Sequence, residues 1–345
     1  MKKALLIGGA GFIGHHLALT LKANGFEVAV VDGLEVNNLI SLQDSRSNFA
    51  NRTFYIKVLD ERLALLRKAS IPVFVEDARD YIRLNRIVTE YQPDVIYLLA
   101  AVAHASRANK DPYSTFDHSF RTLENTLDIT RSLANKPQLV FFSSSMVYGD
   151  FMSLSPNEDA NCDPKNIYGS LKFGGEKLAR AYSNVFEFPV TIVRPSALYG
   201  PRCISRRVLQ VFIENALRGQ NLIIKGDGQE SLDFTYIDDL VSGLMRLTLN
   251  EKSYGQIFNL TTGQAQKLID AAEIVRNEFP GVSIQFESRD ALNPERGTLD
   301  ISKAKSVLGY APSHNLKLGL TKYIDWYKSC WEIDESKIFT TERNE

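Results

Sequence analysis

The segment Tyr168-Gly-Ser-Leu-Lys172 carries the clearest chemical pattern of the chain. On a helix, the i, i+4 spacing sets a phenol and an amine on one face. A phenol titrates near 10, too high for a base at neutral pH, but an adjacent ammonium favours the phenolate. The pair therefore reads as a general base tuned by a cation. A second hydroxyl comes from Ser144, in Phe141-Phe142-Ser143-Ser144-Ser145-Met146. At the C-terminal end of a strand it points into the crevice where open α/β sheets bind ligands. There Ser144 orients a substrate hydroxyl and Tyr168 takes its proton. The same i, i+4 pair also arises on ordinary surface helices, so the reading depends on what surrounds it.

One neighbouring motif is Gly8-Gly9-Ala10-Gly11-Phe12-Ile13-Gly14, directly between a short apolar run and a helical pattern. Glycines here permit a tight turn, close backbone approach to a pyrophosphate, and helix-on-strand packing. The helix N-terminus then offers free N–H groups to the phosphates. Asp32 closes the next apolar run, where it would accept hydrogen bonds from the adenosine ribose hydroxyls. Gly33, Leu34 and Glu35 supply no cation for a 2′-phosphate, which favours NAD over NADP. Asp77 and Ala78 follow the third apolar run. Asp77 reads equally as an adenine contact and as the N-cap of a helix beginning near Tyr81.

The elements that position these residues alternate. Ala4–Ile7, Glu27–Val31, Val73–Val75, Val95–Leu99, Leu139–Ser143 and Val190–Val193 read as strands. Phe12–Ala23, Ile82–Tyr91, Phe116–Leu133 and Ile167–Val185 read as helices. Such alternation implies an α/β fold of Rossmann type, a doubly wound parallel sheet covered on both faces. Residues 43–72 exceed a normal crossover, and the helix-forming Asp60–Ala69 stretch marks an inserted helix of unassigned role. After Arg194 the texture changes. Residues 1–196 and 233–262 are expected to form the dinucleotide-binding domain, 197–232 and 263–330 a smaller discontinuous substrate region, and 331–345 a polar tail.

Composition narrows the class. Lys+Arg 40 against Asp+Glu 41 leaves no global basic field to hold nucleic acid or an anionic membrane. Cys162, Cys203 and Cys330 lie far apart, and His15, His16, His104, His118 and His314 have no metal-ligand spacing. This fits a reducing, cytoplasmic setting without a disulfide framework or metal. No apolar run of about 18 residues suggests a membrane span. His15 and His16 read as ordinary helix positions, and His104 as a packed or solvated residue near the fourth strand.

Taken together, GGAGFIG, EDARD, LLAAVAHA, SSSMVYG, YGSLK, RPSALYGPR, GDGQESLDFTYIDDL and DISKAKSVLGYAP resemble the extended short-chain dehydrogenase/reductase family. Within it the chain is most similar to nucleotide-sugar epimerases and dehydratases, above all the UDP-glucose and UDP-glucuronate 4-epimerases. The likeness spans nearly the whole length. It implies Ser144, Tyr168 and Lys172 as catalytic residues, with Tyr168 taking the sugar 4-hydroxyl proton as C4 hydride passes to a recycled NAD. Cofactor contacts are implied from Gly8, Gly11, Phe12, Ile13, Gly14, Asp32, Asp77, Ala78, Leu99, Ala100, Ala101 and Pro195, with Tyr168 and Lys172. Substrate contacts are implied from Ser144, Ser145, Met146, Tyr168 and Ala197. A homodimer through Phe116–Leu133 and Ile167–Val185 is also implied.

The departures shape the expected reaction. Dehydratases of this family carry Asp-Glu after the catalytic hydroxyl residue; here stand Ser145 and Met146, which cannot act as acid and base. A 4-epimerase is favoured, with a 4,6-dehydratase or 4-dehydrogenase as alternatives and a non-catalytic NAD-binding regulator as a third reading. Epimerases usually place Asn where Ala197 stands and Arg where Leu232 stands, both toward the substrate diphosphate. Arg202, Arg206, Arg207 and Arg296 are the candidate replacements, since guanidinium suits phosphate geometry. An added arginine facing a uronate carboxylate makes a UDP-glucuronate-like substrate a live expectation.

Overall fold

The computed structural model describes residues 1–36, 38–43, 51–102, 105–151, 155–288 and 294–331. His104 and residues 332–345 of the expected polar tail lie outside these residues.

The apolar runs form the strands β1 (Lys3–Ile7), β2 (Glu27–Val31), β3 (Val73–Phe74), β4 (Val95–Leu98), β5 (Gln138–Phe142), β6 (Val190–Arg194) and β7 (Ile257–Asn259). They pair in parallel in the order β7-β6-β5-β4-β1-β2-β3. The order reverses between β1 and β4, the switch point where ligands of such sheets bind. Side chains alternate between the faces. Ala4, Leu6, Val28, Val30, Tyr97 and Val140 enter one core cluster. Leu5, Ile7, Ala29, Val31, Ile96 and Leu139 enter the other.

Helices cover both faces: α1 (Phe12–Ala23), α2 (Arg52–Lys68), α3 (Tyr81–Tyr91), α4 (Thr122–Ser132), α5 (Ile167–Phe186), α6 (Val208–Leu217), α7 (Ile237–Leu247), α8 (Leu268–Glu278) and α9 (Leu316–Cys330). Two differ from expectation. The helical run expected to start at Phe116 starts at Pro112, because Asp111 accepts from the Ser114 N–H and proline suits the first turn. It widens into a π-turn over Asp117–Arg121 before α4 and ends at Ser132, where Leu133 turns extended. The helix after β3 is capped by Asp80, which accepts from the Arg83 N–H, and not by Asp77.

Helix α2 occupies much of the long β2–β3 connection, well beyond the expected Asp60–Ala69. Its buried stripe is Phe54, Tyr55, Val58, Leu59, Arg62 and Leu66. Phe54 packs on Trp326, Tyr327 and Trp331 near the chain's C-terminal end. The Tyr55 hydroxyl donates to the buried Glu214 at 2.7 Å, as does Tyr327 at 2.7 Å. This helix thus straps the nucleotide-half helix α1 to α6 and α9.

Beyond β6, strand 222–225 pairs with 284–287. Buried Asp233 accepts from Thr261, Thr262, Gly263 and Leu299. One carboxylate thereby ties three separate passages of the chain together.

Candidate active site

The glycine turn is built by close approach. Gly8 has φ +83°, and a Cβ there would lie 2.5 Å from the Ala100 nitrogen. A Cβ on Gly14 would lie 2.5 Å from Gly9 Cα. At Gly11 an added Cβ would meet only the Gly8 carbonyl, at 3.1 Å, so this glycine keeps open the space above the turn. Asp32 holds the turn to the end of β2, accepting from Ala10 N–H at 2.9 Å and Leu34 N–H at 2.9 Å. Burial raises its carboxyl pKa, and those two hydrogen bonds oppose the rise.

Above the turn opens a cleft of about 1110 Å³ of empty space, part of it open solvent. Gly8, Gly11, Phe12, Ile13, Gly14, Asp32, Asp77, Ala78, Leu99, Ala100 and Ala101 all line it. A cradle kept free of side-chain atoms at Gly11, a helix N-terminus and a carboxylate at the β2 end suit a dinucleotide diphosphate and ribose. The Asp77 carboxylate is clamped by Arg79, which also reaches Glu35 and Asp117.

Tyr168, Lys172 and Pro195 are not part of that wall. Ser144 follows β5 with its hydroxyl accepting from the Met146 N–H at 3.2 Å. The Ser145 N–H donates to the Pro195 carbonyl at 3.0 Å, pinning the end of β5 to that of β6. The Tyr168 phenol is buried, which raises its pKa, while the charge of Arg207 and the Ser144 hydroxyl pull it down. Lys172 departs from the expected arrangement. Its ammonium donates to the Phe142 carbonyl at 2.7 Å, and burial lowers it to about 8. The charge that lowers the phenol is that of Arg207, while the Lys172 ammonium is held at the Phe142 carbonyl at the end of β5.

Under the pair lies a network that sequence reasoning missed. Glu176, one turn beyond Lys172 on α5, forms a bidentate pair with Arg194, at 2.8 and 2.6 Å. Ser143 donates to the same carboxylate at 2.5 Å, and Arg194 continues to the Tyr148 hydroxyl at 2.9 Å. The sequence signal was Arg194 closing the apolar run of β6 and Glu176 four residues after Lys172 on α5.

The candidate arginines separate. Arg202 turns away from the cleft: its Nε donates to His15 at 3.0 Å and Nη1 pairs with Glu61 at 3.2 Å. Its φ of +62° sets that direction. His15 thus accepts on Nε2 and donates from Nδ1 to the Gly11 carbonyl, while burial pushes its neighbour His16 down to about 3. These histidines are interior hydrogen-bonding residues. The Arg206 N–H donates to Gln210 at the entry to α6. Arg207 lines both the cleft and a smaller cavity with Ala197, Gln210 and Phe234. Arg296 brings Nη1 to Met146 Sδ at 3.9 Å and Nη2 to Glu230 at 3.6 Å. Sequence reasoning also missed Arg62, His118, Thr122 and Ser205 in the cleft wall.

The family model described as "NAD dependent epimerase/dehydratase family" matches residues 4–261, well over half of the chain. The chain belongs to that family. It is 30% identical to an uncharacterized UDP-glucose epimerase of Bacillus subtilis, over 96% of this chain and 99% of that one. It is 28% identical to UDP-glucuronate 4-epimerase 4 of Arabidopsis thaliana, over 96% of this chain and 76% of that one. Among solved structures, UDP-glucuronic acid 4-epimerase from Bacillus cereus, in complex with UDP-glucuronic acid and NAD, superposes with a TM-score of 0.83. That match has 25% identity and covers 95% of this chain and 100% of the other. The extended short-chain dehydrogenase/reductase fold and the NAD dependence expected from the motifs follow from this membership. Among the described residues, no helix is long and apolar enough to cross a membrane.

Proposed function

We propose that this protein is a nucleotide-sugar 4-epimerase that recycles NAD, with a UDP-sugar as substrate and UDP-glucuronate as the first candidate. The observation that carries the reading is Ser144 at the end of β5 acting on the buried Tyr168 phenol, in a family member whose next two residues are Ser145 and Met146. Bound NAD supplies the hydride acceptor. Ser144 holds the 4-hydroxyl, and the Tyr168 phenolate takes its proton as the C4–H bond breaks, leaving a 4-keto sugar. The phenol returns the proton when hydride reaches the other face. Ser145 and Met146 offer no carboxyl group to strip C5 of its proton, which disfavours a 4,6-dehydratase although one such enzyme, from Streptomyces venezuelae, is a structural neighbour at 25% identity.

In this reading residues 1–196 and 233–262 hold the cofactor, and 197–232 with 263–330 hold the sugar nucleotide. Arg207 and Arg296, at the small cavity and beside Met146, are the cations for its diphosphate or carboxylate. The likeness to UDP-glucuronate 4-epimerases supports this substrate class. Exposed Tyr113, Phe116 and Val185, on the 112–132 run and α5, support a homodimer, and three cysteines that form no disulfide among the described residues support a cytoplasmic setting.

Proton NMR with UDP-glucose, UDP-glucuronate, UDP-N-acetylglucosamine and their GDP, CDP and dTDP counterparts, without added NAD, tests the reading. Growth of a C4-epimer anomeric signal to equilibrium is expected. Tyr168→Phe should keep its NAD and lose about 10²–10⁴ in turnover, the scale of general acid–base catalysis. Keto-sugar signals, or full turnover by Tyr168→Phe, would reject it.

A further inference from the structure

Helix α2 lies outside the βαβ unit that binds dinucleotides, yet it places one charge in the cleft. On its stripe Val58, Arg62 and Leu66 are spaced by four, so Arg62 occupies a position where an apolar side chain is expected. Arg62 is 1% exposed and lines the cleft together with Gly11, Phe12, Gly14 and Asp32. A guanidinium carries five donors and stays charged. Here Nε donates to the Arg202 carbonyl at 3.1 Å, and Nη2 donates to the same oxygen. Among the described residues Nη1 makes no hydrogen bond, and no carboxylate forms an ion pair with Arg62.

Asp32 is near enough for its charge to act on Arg62, but its two oxygens are engaged by the Ala10 and Leu34 N–H groups. Arg202 opposes the charge from the other side. A buried cation is stabilised only by a counter-charge or full hydrogen bonding. The protein supplies a carbonyl on one side, which aims the guanidinium, and leaves its other edge to the cleft. An anion is the group that completes it, and the dinucleotide diphosphate is the anion that the glycine turn opposite is shaped for.

We infer that Arg62, carried by α2, binds the diphosphate of the cofactor, so that the inserted helix is part of the cofactor site. The glycine turn supplies neutral N–H donors; Arg62 adds a full positive charge in a desolvated place. Retention of NAD through repeated turnovers then depends on a helix that also grips α6 and α9.

Cofactor-stripped wild-type protein and Arg62→Met are titrated calorimetrically with NAD, ADP and adenosine. Loss of one charge-assisted contact is expected to weaken NAD and ADP about tenfold to a hundredfold and leave adenosine unchanged. Purified Arg62→Met should also carry less NAD per subunit than wild type. Arg62→Lys keeps the charge without the fork, and decides the matter should the Met variant not fold: NAD must weaken while adenosine holds. Unchanged NAD affinity, or an equal loss for all three ligands, overturns the inference and leaves Arg62 as a support for the Arg202 turn alone.

Discussion

The pair Glu176–Arg194 has 2% exposure on each side chain, so breaking it should be costly and removing it whole should not. Arg194→Met strands the Glu176 carboxylate with the Ser143 hydroxyl as its remaining donor among the described residues, and takes a donor from Tyr148 and from the Glu158 carbonyl at 3.1 Å. Leaving one buried charge uncompensated costs roughly 3–5 kcal/mol, against a total stability of about 5–15 kcal/mol. Glu176→Leu alone strands Arg194 and should cost a similar amount. The double variant Glu176→Leu/Arg194→Met removes both charges. What remains is the loss at Ser143, Tyr148 and the Glu158 carbonyl, about 1–3 kcal/mol. Urea unfolding followed by the fluorescence of Trp326 and Trp331 gives midpoints and slopes for all four proteins. Strong non-additivity is expected, with the double variant more stable than either single one. Single variants losing under about 1 kcal/mol, or a double variant equal to their sum, would refute the reasoning. The consequence reaches the site, since Tyr168, Lys172 and Glu176 succeed one another on one face of α5 and the pair fixes that face against β6.

Further outcomes follow from the same geometry. Lys172 has its amine lowered to about 8 by burial from 10.5. Between those values the unfolded chain binds more protons, so its contribution to stability rises with pH and is lost again as pH falls through 8. The stability of wild type relative to Lys172→Met should therefore climb by roughly 3 kcal/mol from pH 8 to 10.5, in a pH series of urea unfolding; a flat difference contradicts it. Gly11→Ala, whose Cβ meets one carbonyl at 3.1 Å, should melt near wild type yet purify with little NAD. Gly8→Ala, at φ +83° and 2.5 Å from backbone, should lower the melting temperature itself, by differential scanning calorimetry.

What was legible in the sequence is local or periodic. The glycine turn could be read because its glycines sit together between one strand and one helix, and the six strands because apolar runs buried on both sides look alike wherever they pair. The family motifs pointed to Ser144 and Tyr168, which stand at the end of β5 and on the first turn of α5. Three things were hidden. The direction of Arg202 depends on a left-handed backbone angle, and a spacing argument cannot give that. The choice of Asp80 over Asp77 as helix cap depends on which residue is extended just before the first turn, and Asp77 was instead taken by Arg79. The Lys172 ammonium sits against the Phe142 carbonyl, a contact between α5 and the end of β5 that a spacing argument cannot give. Arg62 did leave a trace, a charge on an apolar stripe, which becomes readable once the helix is seen to start at Arg52 and not near Asp60.

The sheet order has a consequence for how the chain is made. Strand β6 is wholly buried, and its outer neighbour β7 comes from a segment that follows α6 and α7 in the chain. As the polypeptide leaves the ribosome, five of the seven strands can already stand on both sides of their partners or at the β3 edge while β6 offers a naked row of N–H and C=O groups. Completion waits for Ile257–Asn259, and so does Asp233, whose partners at 261–263 arrive just after. A nascent or truncated chain ending before residue 257 is therefore a sticky one: it carries an open parallel edge made of Val190, Ile192 and Val193, ready to pair with another copy.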